Sequence, residues 1–184
     1  MFQKSIAAAA ALAVAGFAHA QTGGTGGSSE DLVDLSGFSV KLSVGIPYEN
    51  ALRRGLGTTL TGFGVEFQPT RSLLRNSETY FSGEIFLRDL GASNGYVIPI
   101  FVNQRFYNSN VVTANVRRQY AFAGIGFAFT DADNQGGTSG GLALRGGIGS
   151  EIGDRLFFEA AIMFGATEDN VRPNIISFSG GYRF

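Results

Sequence analysis

The chain has 184 residues, 14 basic and 15 acidic side chains, a net charge of −1, one histidine and no cysteine. That balance gives no basic surface for nucleic acid. The missing thiol excludes disulfides, thiolate metal sites, thiol nucleophiles and an acylated N-terminal cysteine. At the start, Lys4, the apolar stretch Ile6 to Phe17 and Ala18-His19-Ala20 read as a secretory signal peptide over residues 1–20, cleaved before Gln21. Twelve apolar residues are too few for a membrane helix, which needs about 20 to cross roughly 30 Å of hydrocarbon. His19 leaves with this segment, so the mature chain carries 13 basic against 15 acidic residues and no imidazole. Histidine-based catalysis, metal ligation and pH switching are thereby excluded.

Residues 21–35 are Gly/Ser-rich and then acidic, a flexible leader. From Ser36 onward, eight runs of two-residue periodicity are separated by Gly, Asn and Asp clusters, which predicts strands throughout and no helix. The first run, Phe38 to Tyr48, sets Phe38, Val40, Leu42, Val44 and Ile46 against Ser39, Lys41, Ser43 and Gly45. The second, Thr58 to Gln68, sets Phe63, Val65 and Phe67 against Gly62, Gly64 and Glu66, and the third, Thr79 to Asp89, sets Phe81, Ile85 and Leu87 against Ser82, Glu84 and Arg88. In the fourth, Tyr96 to Tyr107, Ile98, Ile100 and Val102 oppose Asn103 and Arg105, while Val97, Pro99 and Phe101 share the polar side. The fifth, about Arg118 to Thr130, opposes Ala121, Ala123, Ile125, Phe127 and Phe129 to Tyr120, Gly124, Gly126 and Ala128. The sixth, Gly141 to Ile152, has Leu142, Leu144 and Ile148 against Arg145, Gly147, Gly149 and Glu151. The seventh, Arg155 to Ala166, has Leu156, Phe158, Ile162 and Phe164 against Glu159, and the eighth, Asn174 to Phe184, has Ile176, Phe178 and Tyr182 against Ser177, Ser179, Gly181 and Arg183.

These runs are about twice as long as an ordinary strand of about 5–6 residues. They match the about 9–11 residues of a tilted membrane-crossing strand. Eight such strands close into a barrel whose interior is just filled by side chains. One set of faces is apolar and nearly free of charge, as lipid contact demands. The other is mostly Gly and Ser and carries Lys41, Glu66, Glu84, Arg88, Arg105, Arg145, Glu151, Glu159 and Arg183. Five bases against four acids predict an ion-paired lumen rather than a solvated face. Tyr48, Phe67, Phe129, Phe164, Tyr182 and Phe184 are candidates for aromatic girdles at the two boundaries. With both termini periplasmic, the inner connections are Pro69–Ser77, Asn108–Arg117 and Gly153-Asp154, of which the first two are longer than such turns usually are. A turn at Tyr107–Asn110, with the fifth strand starting at Val111, shortens the second.

The ending Ser179-Gly180-Gly181-Tyr182-Arg183-Phe184 places aromatic residues at the last and third-last positions. With the signal peptide and eight alternating runs, it resembles the OmpA/OmpX-like group of small outer-membrane barrels over residues 36–184; the glycine pair at 180 and 181 departs from the commoner single glycine. The resemblance implies an all-β, eight-stranded antiparallel up-and-down transmembrane β-barrel in the outer membrane. It implies Tyr182 and Phe184 as the signal read by the barrel-assembly machinery. It also implies a monomer in outer-membrane lipid, with roles in envelope integrity or surface contact and no single activity. A narrow pore and a soluble periplasmic ligand-binding barrel are the competing functions.

Little catalytic chemistry is legible. The loop Asp131 to Gly136 begins with calcium-loop spacing, but Leu142 occupies the required acidic twelfth position, so no metal is expected. Gly146-Gly147 is followed by no lysine and no helix, so it is no phosphate cradle. Glu151 and Glu159 are expected near each other across the sixth and seventh strands, with Arg145, as a structural ion network rather than an acid–base pair. Neither a cofactor nor an enzyme activity is expected.

Overall fold

Alternation of apolar and small or polar residues drives each run into an extended strand, because side chains two apart share a face. The computed structural model describes residues 37–69, 73–74, 77–88, 95–108, 117–132, 138–166 and 171–184. The expected signal peptide and leader, and residues 133–137 of the calcium-like loop, lie outside them. The strands are β1 Phe38–Pro47, β2 Leu60–Phe67, β3 Glu78–Leu87, β4 Tyr96–Tyr107, β5 Arg117–Asp131, β6 Ser139–Ile152, β7 Leu156–Gly165 and β8 Ile175–Arg183. Each pairs antiparallel with the next, and β8 pairs with β1, closing the barrel in chain order. Among the described strands, closure leaves no open sheet edge, whose unpaired backbone groups hydrocarbon could not satisfy.

The connections alternate between the two ends. The β1–β2, β3–β4, β5–β6 and β7–β8 connections share one, here the loop end; the terminal end holds Phe38, Phe184 and the other three. There the Phe184 N–H donates to Phe38 O at 3.0 Å. The faces fall as the alternation predicts. Ile125, Phe127, Leu144, Phe158 and Phe178 project outward and exposed, whereas Glu84 and Arg145 are buried inside. All six girdle candidates lie near strand ends, with Tyr48 stacked edge-on against Phe164 at 6.1 Å and Tyr182 against Phe184 at 5.4 Å.

Two expectations are corrected. The β1–β2 connection contains a helix, α1 Asn50–Leu56, where no helix was predicted. Glu49 caps it by accepting the Leu52 N–H at 3.0 Å, and Gly57, at φ 87°, ends it with its N–H on Arg53 O. A positive φ is strained for residues with a Cβ, so glycine suits that exit. Seven residues with two arginines in the middle show too little apolar periodicity to read; burial of the Leu52/Leu56 pair is what makes the turn helical. The proposed turn at Tyr107–Asn110 is also wrong. Tyr107 pairs with Tyr120, so no tight turn closes there, and the strand start expected at Val111 lies outside the described residues.

Candidate functional site

The lumen is filled in three layers. Beneath the loop end, Leu52 and Leu56 of α1 reach into the mouth and pack with Phe86, Val97, Phe101 and Met163 in one buried apolar cluster. That is why Val97 and Phe101 of β4 share the side that also carries Asn103 and Arg105. At this level the inside is greasy.

The middle layer is ionic. Lys41 Nζ lies 3.0 Å from Glu66 Oε1, 2.8 Å from Glu84 Oε1 and 3.6 Å from Glu159 Oε2. Arg105 Nη2 is 3.2 Å from Glu66 Oε2 and 3.5 Å from Glu159 Oε1. Arg145 reaches Glu84 Oε1 at 2.6 Å and Glu159 Oε2 at 3.4 Å. Three cations thus meet three carboxylates, all with side chains nearly free of solvent, so the layer is neutral as well as paired. Hydroxyls fill remaining acceptor positions: Ser43 donates to Glu84 at 3.2 Å and Tyr120 to Glu159 at 2.9 Å. The Arg105 guanidinium lies over the Tyr80 and Tyr120 rings, 4.2 and 4.6 Å from their centroids.

Glycines make the room. Lys41 is flanked across the strands by Gly64 and Gly181, Glu84 by Gly64, Arg145 by Gly124 and Glu159 by Gly149. A Cβ at Gly64 would stand 2.6 Å from Glu84 Cγ, and one at Gly124 would collide with Asn103 Oδ1. Four of the six charged side chains of this layer thus stand beside a residue with no side chain.

The layer at the terminal end is aromatic and acidic. The Tyr107 hydroxyl bridges Glu78 Oε2 and Glu151 Oε1, 2.7 Å from each. Arg183 Nη2 is 2.9 Å and Arg118 Nη1 3.5 Å from Glu151. Arg105 Nη1, 3.6 Å from Glu78, links this layer to the middle one.

Of the nine charged residues expected in the lumen, six form the middle layer and Glu151 with Arg183 belong to the terminal-end layer. Arg88 does not join them: it follows β3, exposed, with its side chain beside Gly57 at the loop end. The polar side of β3 ends at the rim there, so parity alone put Arg88 inside. Glu151 and Glu159 are not partners either. Glu159 sits opposite Gly149, Glu151 opposite Phe157, and they bind different cations. Sequence reasoning missed Glu78, Tyr107 and Arg118; counting back by twos from Glu84 reaches Glu78, and from Tyr120 reaches Arg118. Among the described residues, no cluster of three or more His, Cys, Asp or Glu is arranged to hold a metal.

A closed antiparallel meander with apolar side chains outside and charges inside inverts the arrangement of a soluble protein, and defines a transmembrane-type β-barrel. No protein-family model and no curated protein sequence matches the chain. Solved structures do. The outer membrane enzyme PagL superposes with a TM-score of 0.54 at 14% identity, over 79% of this chain and 98% of that one. Ail, the attachment invasion locus protein of Yersinia pestis, solved with the heparin analogue sucrose octasulfate, superposes with a TM-score of 0.52 at 15% identity, over 80% of this chain and 96% of that one. At such identities the likeness establishes architecture: the chain has the fold of the small eight-stranded outer-membrane barrels.

Proposed function

We propose that the protein is an integral outer-membrane barrel of structural or interaction type, exported by a cleaved signal peptide and acting without catalysis. It is a monomer in outer-membrane lipid, delivered by the assembly machinery that reads Tyr182 and Phe184, and it meets partners through its loop end. The observation that carries this reading is the filled lumen. A pore needs a continuous water path, whereas here Lys41, Arg105 and Arg145 are each held by two or more carboxylates, with Leu52 and Leu56 above them. A soluble ligand-binding barrel needs an apolar interior and a wetted outside, the reverse of what Ile125, Phe158, Glu84 and Arg145 do. What remains for function is the outer wall and the rims. The exposed Arg53 and Arg54 on α1 stand at the loop-end rim.

The test combines membrane fractionation, gel mobility with and without boiling, and single-channel recording in planar bilayers. The reading expects the protein in the outer-membrane pellet, a boiling-dependent shift in migration and a flat current trace. Recovery in detergent-free buffer overturns the membrane assignment; steady conductance overturns the structural role in favour of transport.

A further inference from the structure

The β2–β3 connection is longer than a terminal-end turn needs, and the structure ties part of it to the outside of the barrel. On β3, Tyr80, Ser82 and Glu84 are buried inside, so Thr79, Phe81 and Gly83 point outward. Phe81 is accordingly 45% exposed, yet Thr79, on the same outward face, is only 2% exposed. Something covers Thr79 from outside the wall. The hydrogen bonds identify it. Leu73 N–H donates to Thr79 Oγ1 at 2.7 Å, and Thr79 donates to Gln104 Oε1, its cross-strand neighbour on β4, at 2.8 Å. Gln104 Nε2 donates to Ser77 Oγ, which in turn donates to Leu74 O at 2.9 Å. This circuit starts at one leucine, passes through two outward wall residues and returns to the other.

Leu73 and Leu74 themselves bury little, at 76% and 54% exposed. A lone exposed leucine needs no explanation. Two adjacent ones, strapped by their backbone to Thr79 and Ser77 two to four residues before the outward Phe81, extend the apolar wall beyond the start of β3. We propose that this connection is a membrane-interface anchor, with Leu73 and Leu74 inserted into the lipid leaflet at the terminal end and Thr79 and Gln104 holding them there. The circuit satisfies the polar atoms that would otherwise face hydrocarbon, which makes insertion possible. The inference rests on the membrane reading above, and its occupant is lipid rather than a protein partner.

The chain contains no tryptophan, so each single-tryptophan variant reports one position. Leu73→Trp and Leu74→Trp are compared with Phe81→Trp on the outer wall and Asp154→Trp in the exposed β6–β7 turn at the same end, each in the full-length mature chain. All four are refolded into phosphatidylcholine vesicles with brominated acyl chains, and correct folding is checked by boiling-dependent mobility. The anchor predicts that indoles at 73 and 74 emit to the blue of the one at 154, are quenched by the bromines comparably to the one at 81, and are shielded from aqueous iodide. Thr79→Val, which cuts the circuit, should weaken bromine quenching in the Leu73→Trp protein. If 81 is quenched by bromine while 73 and 74 behave like 154, the anchor is wrong and the membrane barrel stands. If 73 and 74 are shielded from both quenchers, a protein surface covers them and the lipid assignment is wrong. If 81 itself behaves like 154, the membrane reading fails and the anchor with it.

Discussion

Lys41→Met removes the cation that touches all three carboxylates of the middle layer. Methionine keeps the stem and fills nearly the same space, so the change is one of charge. Glu66, Glu84 and Glu159 are then left facing only Arg105 and Arg145, and a neutral layer gains one negative charge out of reach of water. Breaking a buried pair by deleting one partner costs about 3–5 kcal/mol, because the remaining charge stays buried and unpaired. Restoring neutrality should recover much of that. In Lys41→Met/Glu66→Gln two guanidiniums face two carboxylates again, and Gln104-like amide chemistry at position 66 still offers Arg105 an acceptor. Coupling between contacting groups of this kind amounts to about 0.5–3 kcal/mol. The assay is urea titration of the protein refolded in lipid vesicles, with the folded fraction read from gel mobility without boiling. A single variant that loses less than about 1 kcal/mol, the scale of an exposed ion pair, or a double variant whose loss equals the sum of the two singles, refutes the idea of a shared neutral layer.

Other substitutions separate the same forces. Gly149→Ala places a Cβ against the Tyr120 ring and should destabilise by about 1–3 kcal/mol through overpacking, whereas Gly83→Ala points into open space and should be neutral or slightly stabilising in the same titration. Arg118→Gln, at a pair half open to solvent, should cost less than about 1 kcal/mol, against about 3–5 kcal/mol for the enclosed Arg145→Gln. Leu56→Ala should cost about 2–5 kcal/mol by leaving a cavity in the mouth. Planar-bilayer current should stay at baseline in that variant, since the ionic layer below still closes the lumen.

Strand parity was the legible part of this protein. It follows from the two-residue repeat alone, so the inward set from Lys41 to Arg183 and the outward set from Val40 to Phe178 are legible in the sequence. What the repeat cannot convey is how far along the barrel axis a residue sits once the strands tilt. Parity therefore assigns Arg88 to the inside although it leaves the barrel at the rim, and sets Glu151 beside Glu159 although they serve different layers. α1 was illegible because its apolar face is two leucines, whose partners Phe86, Val97 and Met163 come from three separate strands. The strap over Thr79 was illegible for the same reason. Its partner Gln104 lies 25 residues away and becomes a neighbour only through the β3–β4 register.

Buried ion pairs are weak stabilisers compared with well-packed apolar side chains, so the middle layer needs another reason. In a soluble sheet, water decides which face turns outward. In lipid the outside is apolar, and a strand apolar on both sides has no preferred face. A one-residue slip of β6 would turn Arg145 to the lipid, and the same slip of β1 would turn out Lys41. A basic side chain facing mid-bilayer costs about 2–4 kcal/mol, and each slip would also strand the carboxylates left behind. Six charges on six strands therefore penalise a wrong face on β1, β2, β3, β4, β6 and β7. β5 and β8 carry no member of that layer. They are held from both sides by neighbours that do, with the glycines Gly124 and Gly181 set beside Arg145 and Lys41. The charges act less as glue than as the instruction that tells each strand which way to face.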